Sequence, residues 1–173
     1  EMPVERRPGD LGATARTAVE SLAGLSSGRD ITVEGSATAD FDPELIERLV
    51  ANLVSNALKY SPEEGAVSVR VSNGSRARIE VRDQGPGVPE QYQEMIFEKF
   101  GQIKAKQERV KLASTGLGLT YCRLAVEAHD GRIGVDSVVQ EGSTFYHGLL
   151  ARGCTPPRSR APQLVDRSVG RGS

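Results

Sequence analysis

Asn52, Asn56 and Lys59 fall four and three residues apart in the run Asn52-Leu-Val-Ser-Asn56-Ala-Leu-Lys59-Tyr60. On a helix this spacing puts two carboxamides and an ammonium on one face, displaced from the apolar stripe of Leu45, Leu49, Leu53 and Ala57. An asparagine oxygen is a suitable neutral ligand for Mg²⁺, which takes few protein ligands and shares its shell with water and phosphates. A lysine one turn further on can pair with those phosphates. The same spacing also describes a solvated polar helix face.

A second cluster is Asp83-Gln-Gly85-Pro-Gly87, at the end of an alternating apolar run. It offers one carboxylate and two residues with no side chain to block a ligand's approach. A buried carboxylate accepts from the exocyclic amine of adenine, whereas the carbonyl of guanine would face it acceptor to acceptor, so selection would work by repulsion as much as attraction. Asp-x-Gly-x-Gly is also a common turn. A third cluster, Gly116-Leu117-Gly118-Leu119, opens a helix; free backbone N–H groups and the positive dipole end could meet an anion there. The alternative is a glycine-rich helix start with no ligand. Neither a Walker A loop nor a Gly-x-Gly-x-x-Gly run following a strand occurs, so a phosphate site would use another architecture.

The elements that must position these residues are legible from periodicity. Leu11, Ala15, Ala18, Leu22 and Leu25 predict a helix from about Asp10 to Ser26, with Asp10 as N-cap. Ile31-Thr-Val33 and Ala39-Asp-Phe41 read as short strands. Asp42-Pro43 then starts the asparagine-bearing helix, and Ser61-Pro62 ends it. Val67, Val69 and Val71, then Ala77, Ile79 and Val81, flank Asn73-Gly74, which predicts a hairpin. A short helical piece from Pro89 to Ile96 leads to Phe97-Glu-Lys-Phe100, and the lysine-rich stretch 101–115 shows no periodicity and reads as a mobile loop. A helix from Gly116 to His129 and a strand pair at 133–135 and 144–150 close the body.

Of 173 residues, 38% are apolar and 26% charged, enough for one domain with a sizeable core. A formal charge of −1 argues against a dedicated nucleic-acid or anionic-membrane surface. Residues 152–173 hold five arginines and one acid and read as a flexible basic tail or linker, leaving 17 basic and 22 acidic side chains on residues 1–151. Cys122 and Cys154 make no disulfide framework or metal spacing, and no apolar run approaches the ~20 residues that span a bilayer. A cytoplasmic, reducing setting is the expectation. The chain opens Glu1-Met2, which reads as a piece of something longer whose membrane anchoring is left open.

The order and spacing of these clusters resemble the N box (52–60), G1 box (83–87), F box (97–100) and G2 box (116–119) of the GHKL ATP-binding fold. More closely they resemble the catalytic ATP-binding domain of sensor histidine kinases, over about Pro3 to Ala151. The resemblance implies an α/β two-layer sandwich, with one mixed, mainly antiparallel sheet of about five strands and about three helices on one face. It implies ATP and Mg²⁺ as ligands, Asn56 as principal Mg²⁺ ligand, Asn52 as a second polar contact, and Lys59 as a phosphate contact. Tyr60 would flank the nucleotide, Asp83 would read the adenine amine, with Gly85 and Gly87 beside it in the ATP-binding set, and Thr144 in Gly142-Ser-Thr-Phe145 would support the base. Residues 101–115 would form an ATP lid, with Lys104, Lys106 and Lys111 as candidate γ-phosphate contacts. Thr115, Gly116, Leu117, Gly118 and Leu119 would complete the ATP-binding set. Ser114 and Gly101-Gln102 depart from the family's commoner lid residues.

Where GHKL ATPases carry a glutamate that activates water, this chain has Asn52, which cannot accept that proton. Transfer of the γ-phosphoryl to an external nucleophile is favoured over hydrolysis. The family's nucleophile is a histidine on a separate dimerisation hairpin, with a response-regulator receiver domain downstream. Neither His129, at a helix end and facing its dipole, nor His147, in the last strand, fits that motif. The fragment should therefore be monomeric, with a homodimeric parent. The rival readings are an ATP hydrolase, an anti-sigma-type serine kinase, and a non-catalytic interaction module on the same scaffold.

Overall fold

The computed structural model describes residues 2–99 and 117–150. The main sheet has five strands in the order β2-β4-β5-β7-β6, formed by β2 (Ile31–Glu34), β4 (Val67–Ser72), β5 (Arg76–Asp83), β7 (Gly142–Leu150) and β6 (Arg132–Val138). Only β2 and β4 run parallel. Helices α1 (Leu11–Ser21), α2 (Pro43–Tyr60) and α3 (Gly118–Ala128) pack against one another and against one face of the sheet, giving the mixed two-layer α/β arrangement expected.

Period-two alternation decides which side chains the helices cover. Val67, Val69, Val71, Ala77, Ile79, Val81, Phe145 and Leu149 turn inward against Leu49, Leu53, Ala57, Cys122 and Val126. Asp42 caps α2 by accepting from the Glu44 and Leu45 N–H groups, with Pro43 at the first helical position. Cys122 is buried, and its thiol pKa is pushed up to about 12 by burial, so it packs as a small apolar residue.

Several local expectations are corrected. Helix α1 ends at Ser21 instead of Ser26, with Leu22 as its C-cap; the chain goes on in turns through Ser27 and Gly28, at φ values of 49° and 78°, and Leu25 is left 66% exposed. A strand β1 (Arg7–Asp10), hidden in sequence by its proline and glycine, pairs antiparallel with β3 (Thr38–Phe41) as a separate two-stranded sheet. The hairpin at Asn73-Gly74 is present, closed by Ser72↔Arg78, but neither residue adopts positive φ, so its loop is wider than a tight Asn-Gly turn. The piece from Pro89 to Ile96 is two 3₁₀ turns, Glu90–Tyr92 and Met95–Phe97.

His129 does not serve the α3 dipole as a cation. Its Nε2 accepts from the Asp42 N–H at 2.9 Å, while Nδ1 lies 2.6 Å from the Ala125 carbonyl, an arrangement that requires the neutral ring. Burial lowers its pKa, so the imidazole ties the C-terminus of α3 to the N-cap of α2. His147 is structural as expected, fully buried in β7.

Candidate functional site

One concavity gathers the sequence clusters. It lies between the C-terminal half of α2, the turn after β5, the second 3₁₀ turn, the start of α3 and the start of β7. Asn56, Tyr60, Asp83, Gly87 and Leu119 line it, together with Pro86, Val88, Ile96, Ser143 and Phe145. The floor is apolar and the polar groups are few, the usual makeup of a small-molecule site.

Asp83 is only 4% exposed. Burial raises its pKa, opposed by the Gly85 and Ser143 backbone N–H groups that donate to its carboxylate; the Gly85 contact is 2.8 Å. The glycines around it are there for close approach. A Cβ on Gly85 would sit 3.1 Å from the Tyr60 carbonyl oxygen and 3.0 Å from the Asp83 carboxylate. At Gly87, φ is +77° and a Cβ would come within 2.3 Å of the Val138 carbonyl oxygen. The turn is pinned from both sides. Gln84 N–H donates to Ser61 Oγ at the end of α2, and Gln140 N–H donates to the Pro86 carbonyl from the β6–β7 turn.

The asparagines sit one helical turn apart on α2, both half-buried. Asn56 reaches the pocket, whereas Asn52 lies beside Gly118, whose Cβ would stand 3.4 Å from Asn52 Oδ1. The asparagine face and the α3 N-terminus are therefore neighbours, though 66 residues separate these two positions in sequence. Lys59 is exposed and outside the pocket lining, and Leu117 is 55% exposed, while Leu119 turns inward. Lys104, Lys106, Lys111, Thr115 and Gly116 lie outside the described residues.

Thr144 is a correction. Along β7 the buried positions are Ser143, Phe145, His147 and Leu149, so Thr144 points to the opposite, solvent face, paired with Arg82 and Asp136. Ser143, directly across from Asp83, takes the place beside the carboxylate.

The sequence profile described as histidine kinase-, DNA gyrase B- and HSP90-like ATPase matches residues 41–152. The chain belongs to this family. Among curated relatives, the adaptive-response sensory kinase SasA of Gloeothece citriformis is 42% identical over 110 residues, covering 62% of this chain and 27% of that kinase. The chain thus spans about a quarter of that relative's length. The mycobacterial sensor histidine kinase MprB superposes with a TM-score of 0.73 at 26% identity, covering 86% of this chain and 99% of that one. Full-length ShkA, solved in complex with AMPPNP, also aligns at 0.73, with 25% identity over 91% of this chain and 34% of that one.

In this member of the histidine kinase and HSP90-like ATPase family, sequence reasoning missed the apolar walls Val88, Ile96 and Phe145, and Ser143 as well. Phe97 of the second 3₁₀ turn meets Phe145 edge to face, 6.2 Å between centroids, and braces that wall from behind. The signal for Ser143 was present: if Phe145 faces the core, strand alternation sends Ser143 inward and Thr144 outward.

Proposed function

We propose that this chain is the catalytic ATP-binding domain of a two-component sensor histidine kinase, donating the γ-phosphoryl of ATP to a histidine on a separate dimerisation hairpin. The observation that carries this is one pocket lined by both the buried Asp83 and Asn56, with Asn52 where the family's hydrolases carry a proton-accepting glutamate. Membership of the ATPase family and the similarity to SasA, MprB and ShkA support it. Residues 1–151 would form the domain and 152–173 a basic tail.

Adenine sits in the pocket with its amine on Asp83, supported by Ser143 in place of Thr144 and flanked by Tyr60, with Gly85 and Gly87 keeping the approach open. The phosphates run toward Asn52, Asn56, Lys59 and the start of α3, where Leu117 and Gly118 offer backbone N–H groups, with Gly116 carried as a further candidate from the sequence. Lys104, Lys106, Lys111 and Thr115 are carried as candidate lid contacts from the sequence. The donor set fits Mg²⁺ only as an ion brought with the nucleotide. Among the described residues no group of three or more His, Cys, Asp or Glu could hold a metal, whereas one or two carboxamide oxygens suit an ion that keeps phosphate and water ligands. Asn56, with Asn52 beside it, would hold the ion, which supplies charge neutralisation on the phosphates. The protein's part is then positioning: an incoming imidazole nitrogen forms the N–P bond as the P–O bond to ADP breaks. The partners are the phosphoacceptor hairpin of a homodimeric parent and a receiver domain downstream, in the cytoplasm. No helix among the described residues is long and apolar enough to cross a membrane.

Calorimetric titration of the chain with ATP, with and without Mg²⁺ and with GTP as control, tests this reading. ATP should bind, Mg²⁺ should strengthen binding, and GTP should not compete. In Asn56→Ala the Mg²⁺ enhancement should vanish with the circular dichroism spectrum unchanged, and transfer to the cognate hairpin should stop. Undiminished transfer by that variant, or no binding of any adenine nucleotide by the native chain, would overturn the assignment.

A further inference from the structure

The β6–β7 hairpin and the distant turn after β5 meet at one hydroxyl. Ser137 Oγ on β6 lies 2.7 Å from the Val88 N–H, 2.9 Å from the Gly142 carbonyl oxygen and 2.8 Å from Ser143 Oγ. A serine hydroxyl has one proton and two lone pairs. The Val88 N–H can only donate, so it occupies one lone pair, and the Gly142 carbonyl can only accept, so it takes the proton. The remaining lone pair is open to Ser143, whose hydroxyl must therefore be the donor in their contact. This is the one assignment that satisfies all three contacts, and it uses the full capacity of Ser137.

The arrangement is braced. Gln93 Nε2 donates to both the Val88 carbonyl at 3.0 Å and the Ser137 carbonyl at 3.1 Å, clamping the turn after β5 against the end of β6. Ser143 is 6% exposed and lines the pocket beside Asp83. With its proton committed to Ser137, Ser143 Oγ has only lone pairs left for a ligand. The Asp83 carboxylate likewise only accepts.

We propose that Ser137 is a positioning residue for base specificity. By fixing the direction of the Ser143 hydroxyl it makes the Asp83–Ser143 side of the pocket acceptor-only, so that this side takes a purine bearing an exocyclic amine and rejects one bearing a carbonyl at the same position. The inference rests on the nucleotide reading above and adds to it a second element of selection. Without Ser137, the Ser143 proton is free to turn into the pocket and donate to the carbonyl of hypoxanthine. With Ser137 in place, this carbonyl faces two acceptors.

The test is calorimetric titration of the whole chain with Mg·ATP and Mg·ITP. Ser137→Ala should lower the ATP-to-ITP affinity ratio by about tenfold, the scale of one hydrogen bond gained by the wrong base, and Ser137→Thr, which keeps the hydroxyl, should restore it. Ser143→Ala gives a second readout whose sign discriminates. If Ser143 acts as an acceptor the ratio falls, and if it acts as a donor the ratio rises. In the Ser143→Ala background, adding Ser137→Ala should leave the ratio unchanged. If Ser137→Ala weakens both nucleotides by the same factor, the residue merely supports the loop and the inference is overturned; a rise in the ratio on Ser143→Ala also overturns it. In either case the proposed function would stand. Only failure of the native chain to bind ATP would remove the nucleotide reading itself.

Discussion

Acidification should destabilise this domain substantially through one histidine. His147 is fully buried, paired in register with Ile79 and Ile133, and neither ring nitrogen has a hydrogen-bond partner. Burial, with the nearby His129 adding to it, pushes its pKa from 6.5 down to about 3. The unfolded chain titrates at the ordinary value, so below pH 6.5 it takes up a proton that the native state refuses until about pH 3. Stability is therefore complete above pH 6.5 and is lost as pH falls through this window. Each pH unit within it costs ~1.36 kcal/mol, so the loss is about 2 kcal/mol at pH 5 and about 4 kcal/mol near pH 3, a large part of the ~5–15 kcal/mol that holds a domain together.

Urea unfolding at several pH values between 7.5 and 4 would measure it, comparing the native chain with His147→Leu. The variant removes both orphaned nitrogens, so its stability at pH 7.5 should match or exceed the native value, and its decline toward pH 5 should be shallower by about 2 kcal/mol. His129, whose pKa is also lowered by burial, and the carboxylates are present in both proteins, so apart from the His129–His147 repulsion their slopes cancel in the difference. Parallel stability curves for the two proteins across this range would refute the reasoning, because His147 would then be titrating normally in the folded state.

Other expectations concern the pocket. Asp83→Asn should weaken ATP binding by about tenfold to a hundredfold, the scale of one charge-assisted hydrogen bond, and unchanged affinity in calorimetry would remove the carboxylate from base recognition. Thr144→Ala should leave ATP affinity unchanged while Ser143→Ala lowers it; the reverse order in the same titration would contradict the strand alternation. Gly87→Ala, at φ +77° with the Val138 carbonyl in the way, should cost more than ~1 kcal/mol in urea unfolding and weaken nucleotide binding as well; a variant as stable as the native chain would mean that the turn can relax.

Local periodicity alone carried helix α2 and its caps, because Asp42-Pro43 and Ser61-Pro62 are punctuation written in adjacent residues. Strands β4 and β5 were legible for the same reason, since alternation is a property of neighbours in the chain. Three of the four clusters converge on one pocket, which Asn56, Tyr60, Asp83, Gly87 and Leu119 line. The pairing of β1 with β3 was not legible, because it depends on a contact about thirty residues away that overrides the poor strand propensity of Pro8 and Gly9.

Tertiary structure decided what each polar group can do. The neutral state of His129 follows from an Asp42 N–H donated by a distant helix start, and the choice of Ser143 over Thr144 follows from which face of β7 the helices cover. The direction of the Ser143 hydroxyl depends on the Gly142 carbonyl across the β6–β7 turn and on the Val88 N–H brought to Ser137 from a distant part of the chain. Sequence determines which donors and acceptors exist and the period at which they recur; only packing determines which of them meet away from water, where an unmet hydrogen bond is expensive enough to fix a proton's position.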